Sequence, residues 1–315
     1  MNILVTGGAG FIGSHFVDYI LEKYPDYSVV DLDALTYAGS LDNLRDIMDS
    51  PRHRFVQGRV EDGELVDRLM KGIDAVIHFA AESHVDRSIV QPQAFLKTNI
   101  IGTQVLLDAA RRNGVKLFYQ ISTDEVYGDV ELDSPVKFTE DSPLRPNSPY
   151  AASKAAADLL VQAYHHTFGL PVVISRSTNN YGPRQHREKF IPTVILSAHN
   201  NKPVPIYGDG QYARDWIYVH DHCRAIDLIL HRGKVGEVYN ISGDNECINL
   251  DLAKDILRMM NKPESLLQFV TDRPGHDRRY AIDSTKIKRE LGMKPQVPFD
   301  SGLQDTIDSY VASSE

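Results

Sequence analysis

The stretch Asn2–Val17, NILVTGGAGFIGSHFV, decides the fold. Ile3, Leu4 and Val5 read as a buried strand, and Gly7, Gly10 and Gly13 follow it. Gly8-x-Gly10-x-x-Gly13 also fits the looser dinucleotide-binding spacing. Behind the glycines, Phe11, Ile12, His15, Phe16, Tyr19 and Ile20 recur at helical spacing. Three glycines alone say little. Set between a strand and an amphipathic helix, they let the backbone approach a pyrophosphate at the helix N-terminus. The next apolar run, SVVDLD (28–33), ends on Asp33, about 20 residues past the loop, where a carboxylate takes the adenosine ribose hydroxyls. That carboxylate repels a 2′-phosphate and Ala34 offers no positive charge to offset it, so the expected cofactor is NAD rather than NADP.

Outward from this unit, apolar runs alternate with helical patterns through the first half. Strands are expected at 2–7, 28–33, 54–58, 74–81, 116–122 and 171–176, with helices near 12–23, 61–71, 94–113 and 150–168. Strands joined by helices imply a doubly wound parallel α/β sheet of Rossmann type, covered on both faces. The second half is broken by Pro183, Pro192, Pro203, Pro205, Pro274, Pro295 and Pro298. Helices are expected there near 188–200, 219–231, 249–260 and 299–311. The expected organisation is a nucleotide-binding domain over 1–178, completed by segments near 215–242. A smaller, irregular α/β substrate-binding domain over 179–315 is interleaved with it.

The formal charge of -9 at pH 7 argues against nucleic acid or an anionic membrane as partner. An anionic ligand must therefore be held by local Arg, Lys and helix N-termini. Cys223 and Cys247 are the only cysteines and form no C-x-x-C pair, which points to a reducing compartment without a disulfide framework or Cys-based zinc site. The chain enters a strand at MNILVTGG, so no signal peptide is expected, and no apolar run is long enough to span a bilayer. A cytoplasmic protein is the expectation.

Two further stretches carry chemistry. YQISTDEVYGD (119–129) sets Asp124 and Glu125 side by side where a strand leaves the sheet. A solvated turn needs only one such residue; an acid and a base for different protons need both. SPYAASK (148–154) places Tyr150 four residues before Lys154, on one helix face. Bringing a phenol from a pKa of about 10 to near 7 takes roughly 4 kcal/mol of phenolate stabilisation. Lys154 and the positive nicotinamide ring are the expected sources.

TGGAGFIG (6–13), Thr123 and Tyr150-x-x-x-Lys154 together resemble the extended short-chain dehydrogenase/reductases. LTYAGSLDNL (35–44), HFAAESHVDRSI (78–89), ISTDEVYGD (121–129), SPYAASKA (148–155), NNYGP (179–183), RDWIYVHDH (214–222) and DRPGHDRRYAID (272–283) resemble, more narrowly, the dTDP-glucose 4,6-dehydratases. The resemblance runs from the first strand to about residue 295. It implies a lyase that oxidises carbon 4 of a nucleotide-linked glucose, eliminates water across carbons 5 and 6, and returns the hydride to carbon 6. Tyr150 and Thr123 would act at the 4-hydroxyl, Glu125 as the base at carbon 5, and Asp124 as the acid for the departing hydroxyl. Two neighbouring carboxyls in a closed cleft do not both ionise easily, which suits that division.

The same resemblance implies that Gly7, Gly10, Phe11, Ile12, Gly13, Asp33, Leu35, Thr36, Ala80, Ala81, Thr98, Tyr150, Lys154 and Asn180 hold NAD. It places Ser83, Thr123, Asn179, Lys189, Phe190, Pro205, Ile206, Tyr207, Arg214, Asn249, Asp272, Arg273 and His276 against the nucleotide-sugar substrate. Arginine suits the diphosphate because its planar fork makes paired, charge-assisted hydrogen bonds. No metal is expected, since VHDH (219–222) and His165-His166 read as solvated or packed histidines. A homodimer built on the helices near 95–112 and 150–168 is also implied. This sequence departs from the family at Arg59, where an Asp usually accepts from the adenine amino group, and at Ala34, which replaces a frequent Lys. An Arg cannot accept, so adenine is expected to be held more weakly or differently. Two other functions share the scaffold. A nucleotide-sugar 4-epimerase needs no Asp124-Glu125 pair, and a non-catalytic NAD-binding regulator needs none of the catalytic residues.

Overall fold

The structure, a computed structural model, describes residues 1–313. Strands β1 (Asn2–Thr6), β2 (Ser28–Asp33), β3 (His53–Gln57), β4 (Ala75–His78), β5 (Leu117–Thr123) and β6 (Val172–Ser177) form where the sequence places them. β4 stops short of the expected 74–81 because the chain there leaves the sheet to cross the glycine loop. A Cβ on Gly7 would lie 2.7 Å from the Ala80 nitrogen. The second half adds β7 (Asn179–Tyr181), β8 (Val204–Tyr207), β9 (Ala213–Tyr218), β10 (Val238–Ile241), β11 (Glu246–Ile248) and β12 (Leu267–Val270), none of which stands out in the Pro-punctuated sequence.

The large sheet is parallel throughout, in the order β10-β6-β5-β4-β1-β2-β3. Strand order reverses between β1 and β4, and in such sheets the crevice beyond the carboxyl ends of the strands at that point takes the ligand. Helix Phe11–Lys23 buries Phe16, Val17, Ile20 and Leu21 against one face of the sheet. Leu106, Leu107 and Ala110 of helix Thr103–Asn113, with Val161 of helix Pro149–Phe168, cover the other face. Full burial of such side chains contributes roughly 1.5–3 kcal/mol each.

Helix Pro149–Phe168 is well bounded. The Ser148 hydroxyl accepts from the Ala151 N–H at 3.1 Å, Pro149 opens the first turn, and Gly169 closes it at φ 69°. Helix Val219–Arg232 and β10 return to the first core, where Ile226, Ile229, Tyr239 and Ile241 pack with Phe16 and Ile20. A separate core joins Tyr181, Ile191, Ile195, Trp216, Leu252, Ile256, Leu303 and Ile307. Between the two cores lies the cleft.

Candidate active site

The glycine loop fits a dinucleotide on steric grounds. Gly7 adopts φ +77°, and a Cβ on Gly13 would lie 2.2 Å from the Gly7 carbonyl oxygen. Helix Phe11–Lys23 begins at Gly10 without a side-chain cap, leaving its first N–H groups for an anion. Asp33 is nearly buried; its carboxylate accepts from the Ala9 N–H at 3.0 Å and from the Leu35 N–H at 2.8 Å. Burial pushes its pKa up, and those two backbone bonds oppose the rise. Gly7, Gly10, Phe11, Ile12, Gly13, Asp33, Thr36, Ala80, Ala81, Thr98, Tyr150, Lys154 and Asn180 all line one cleft. Leu35 does not line it; at φ 50° it turns the chain so that its N–H reaches Asp33. Thr98 sits on a π-helical stretch, Leu96–Gly102, within the longer expected helix. Such widened turns recur at functional sites.

The catalytic candidates meet in the same cleft. β5 ends at Thr123, whose Oγ1 accepts from the Glu125 N–H at 3.3 Å and so caps the short helical turn Asp124–Tyr127. The turn is anchored from below. The Tyr127 hydroxyl donates to Asn240 Oδ1 at 2.8 Å and accepts from Arg176 Nη1 at 2.9 Å. Arg176 in turn pairs with Asp158 at 2.9 Å, both fully buried. Breaking such a buried pair costs about 3–5 kcal/mol because the remaining charge is stranded.

Asp124 is 3 % exposed, and its Oδ2 has no hydrogen-bond partner among the described residues. Burial, and then the charge of Glu125, raises its pKa well above the usual carboxylate range. Glu125 is also raised by burial, but Arg273, Lys189 and Arg214 pull it back down. The two neighbours therefore differ in kind: Asp124 tends to keep its proton, and Glu125 faces three cations that favour its charge.

Tyr150 and Lys154 share a helix face, yet their expected contact needs correction. The Lys154 ammonium donates to the Ile121 carbonyl at 2.7 Å rather than to the Tyr150 phenol. Burial lowers the Lys154 pKa to about 8. The Tyr150 phenol is raised well above 10 by burial and the Glu125 charge, and a hydrogen bond with Thr123 works against the rise.

On the substrate side, Ser83, Asn179 and Lys189 line the cleft with Thr123. The Lys189 ammonium donates to the Ser83 carbonyl at 2.9 Å. Arg214 is buried, with its guanidinium bonded to the carbonyls of Ala213 and Asp277 and stacked 4.2 Å from the Tyr280 ring centre. Arg273 keeps a buried Nε without a hydrogen-bond partner among the described residues and lies 3.5 Å from Asp86. Asp272 is occupied within the protein: its carboxylate accepts from Tyr212, His276 and the Arg273 N–H, so it holds His276 and Arg273 in place. His276 stacks on Tyr212 at 3.7 Å, and burial takes its pKa down to about 4. Phe190 stacks on Trp216, and Asn249 opens a helix with its Oδ1 unpartnered among the described residues. On β8 the alternation of a strand separates Pro205 and Tyr207 from Ile206, whose side chain is in the second core and not available to a ligand. Phe190, Pro205, Tyr207, Arg214, Asn249, Arg273 and His276 do not line the dinucleotide cleft itself.

The structure adds residues that the sequence did not single out. The Tyr280 hydroxyl donates to Asp277 at 2.7 Å and lies 3.5 Å from Glu125 Oε2, placing a phenol beside the expected base. Its only sequence signal is an aromatic among charges in DRPGHDRRYAID. His222 and Asn180 bond at 2.7 Å through Nδ1 and Oδ1, which explains one His of VHDH without a metal.

A family model described as GDP-mannose 4,6 dehydratase matches residues 4–306. The chain is 53% identical over 315 residues to the low-salt glycan biosynthesis protein Agl12 of Haloferax volcanii, covering 100% of both. It is 51% identical over 314 residues to a dTDP-glucose 4,6-dehydratase of Streptomyces niveus, covering 98% of this chain and 93% of that one. The solved structure of DesIV, a dTDP-glucose 4,6-dehydratase from Streptomyces venezuelae with NAD bound, superposes with a TM-score of 0.96 at 50% identity. That match covers 98% of this chain and 97% of the other.

Proposed function

The chain belongs to the GDP-mannose 4,6-dehydratase family, and on that premise we propose that it is an NAD-dependent hydro-lyase converting dTDP-glucose to dTDP-4-keto-6-deoxyglucose. The carrying observation is the unlike pair Asp124 and Glu125 beside Tyr150 in one cleft. A 4-epimerase has no use for that pair, and relatives at about half identity are named dehydratases of the dTDP sugar.

Tyr150 takes the proton of the sugar 4-hydroxyl, with Thr123 bonded to the same oxygen; burial and the Glu125 charge hold its phenol pKa up, so its ionisation draws on the positive nicotinamide ring. NAD, which Gly7, Gly10, Gly13 and Asp33 would hold in this cleft, would supply the hydride acceptor for carbon 4 and the hydride donor for carbon 6. A carbonyl at carbon 4 acidifies the hydrogen on carbon 5, because the charge left behind spreads onto oxygen. Glu125 removes that proton while Asp124 protonates the hydroxyl leaving carbon 6. Glu125 then gives a proton back to carbon 5 as carbon 6 is reduced, so the balance is the loss of one water. Each positioned proton transfer contributes about 10² to 10⁴ in rate. Lys154 orients the site from the Ile121 carbonyl. Arg214, Arg273 and Lys189 bring the cations that a diphosphate needs in an otherwise acidic protein.

The dinucleotide falls to the parallel sheet of 1–178 with β10, and the nucleotide-sugar to the rest. Leu96, Ile101 and Leu159 are about half exposed on adjoining helices, which supports a homodimer formed there. Two unpaired cysteines, Cys223 buried and Cys247 partly so, accord with a cytoplasmic setting. Among the described residues no helix is long and apolar enough to cross a membrane.

Incubation with dTDP-, UDP-, CDP- and GDP-glucose side by side, followed by product mass, is the test. Loss of one water with dTDP-glucose as the preferred substrate is expected. An unchanged mass with an altered sugar would establish an epimerase, and no turnover of any substrate would leave a binding protein.

A further inference from the structure

Of the four glycines in TGGAGFIG (6–13), Gly8 is the one that does not line the cleft. Its N–H points the other way and donates to Asp31 Oδ1 at 3.0 Å. Asp31 stands on β2 two residues before Asp33, so the two carboxylates project to one side of the strand. Asp31 is nevertheless fully buried and does not line the cleft. A Cβ on Gly8 would lie 2.3 Å from Asp31 Oδ1 and 2.4 Å from its Cγ and Oδ2. Gly8, unlike Gly7, is not in the left-handed region, so space rather than backbone conformation forbids a side chain there. Beyond the carboxylate, the fully buried His53 ring on β3 brings Nε2 to 3.6 Å from Asp31 Oδ2. Burial raises the Asp31 pKa, while His53 and the Gly8 N–H oppose the rise.

The N–H groups of the loop are all used inside the protein. Gly7 donates to the Leu32 carbonyl at 2.9 Å, Gly8 to Asp31, Ala9 to Asp33 at 3.0 Å, and Gly10 to the Gly7 carbonyl at 3.2 Å. The first helical bond runs from the Ser14 N–H to the Gly10 carbonyl. That leaves the N–H groups of Phe11, Ile12 and Gly13 for an anion.

Resting on the NAD reading of this cleft, we propose that Asp31 is a positioning residue for the cofactor: it holds the Gly8 N–H, and Gly8 lacks a side chain to admit that carboxylate rather than to admit the dinucleotide. Asp31 and Asp33 then pin consecutive residues of the loop from one strand, and the pinned loop aims the donors of Phe11, Ile12 and Gly13. Without Asp31 a buried N–H is left unpaired. The loop must shift to find another acceptor, and the donors at its end move with it.

The test loads the purified protein with NAD, adds an excess of isotopically labelled NAD, and follows by mass spectrometry how fast label replaces the bound cofactor, with no need of turnover. Asp31→Ala should exchange about tenfold faster than wild type or more, the size of one charged hydrogen bond. Asp31→Asn, whose amide oxygen accepts the same N–H, should stay within about threefold of wild type. It also keeps the size of the side chain, so it decides the matter even where Asp31→Ala does not fold. Gly8→Ala displaces the same carboxylate and should exchange about tenfold faster or more. In the double variant Gly8→Ala/Asp31→Ala the methyl takes the room that the carboxylate left, so the two losses should fail to multiply. At saturating NAD, Asp31→Ala should recover kcat and the sugar KM to within about twofold of wild type. A destabilised Asp31→Ala that exchanges at the wild-type rate would make Asp31 purely structural and overturn the proposal. So would Asp31→Asn exchanging as fast as Asp31→Ala, or a double variant whose losses multiply. Wild-type protein that takes up no NAD overturns the NAD reading instead.

Discussion

The Lys154 ammonium lies 2.7 Å from the Ile121 carbonyl oxygen, which fastens the helix carrying Tyr150 to the strand whose end carries Thr123, Asp124 and Glu125. The phenol and the carboxyl pair are thus held in register by a side-chain-to-backbone hydrogen bond. Lys154→Met removes both the charge and the donor. It is expected to lower kcat by about 10²-fold or more and stability by about 1–3 kcal/mol, because the carbonyl is left unpaired. Steady-state kinetics and denaturant unfolding measure the two effects separately.

Glu125→Gln should still allow oxidation at carbon 4 while slowing water loss by about 10² to 10⁴. Solvent deuterium gives the check. Wild type should place one deuterium at carbon 5 of the product, and the variant should release labelled, dehydrated sugar only at the slowed rate. Dehydration at the wild-type rate would remove Glu125 from its assigned step.

Asp124→Asn should lose dehydration but gain stability at neutral pH. A carboxyl whose pKa is raised in the folded state adds stability in full below its unfolded pKa of about 4, and loses it as pH rises through the folded value. At neutral pH the wild type has lost some or all of that contribution, whereas Asn never titrates. If about 1 kcal/mol is recovered, the midpoint rises by roughly 2 °C. The advantage should shrink as the buffer approaches about pH 4. Thermal melts across pH decide it.

Arg273→Ala tests the assignment of charge. Arg273 is the leading cation that holds the Glu125 pKa down against burial. Without it the pKa climbs further, so the base is protonated over a wider range. The acid limb of the kcat profile should move to higher pH, while Asp124, on which Arg273 is not a leading influence, should keep its limb. A profile that drops in height without shifting would assign Arg273 to binding alone.

Gly13→Ala and Gly10→Ala separate packing from ligand approach. A Cβ on Gly13 meets the Gly7 carbonyl oxygen at 2.2 Å and Gly7 carbon at 2.9 Å, both backbone. Overpacking there should cost about 1–3 kcal/mol in stability. At Gly10 the nearest atom is 3.2 Å away, so a methyl is better tolerated in the protein and should act mainly by weakening retained NAD. Denaturant melts and dinucleotide content measure the contrast.

The parallel sheet was legible because its strands are buried on both faces and stand out as unbroken apolar runs such as AVIH (75–78) and VVIS (172–175). β10 was missed because VYNI carries Asn240, whose amide serves the turn at Tyr127 rather than the surface. The short strands β7, β11 and β12 have three or four residues, too few for a period to show. The acid and base were legible from adjacency in ISTDEVYGD. Their inequality was not, since it depends on Arg273, Lys189 and Arg214, which lie far along the chain from Glu125.

The seventh strand has a consequence for how the molecule can be cut. Ile217 and residues 219–241 help to complete the first core, while the second takes residues from Tyr181 to Tyr218 and from Leu252 onward. Excising the polypeptide after residue 178 would leave β6 with a bare edge and strip the outer helix from Phe16 and Ile20. Neither lobe is expected to be stable when expressed alone, and the two should melt as a single cooperative body.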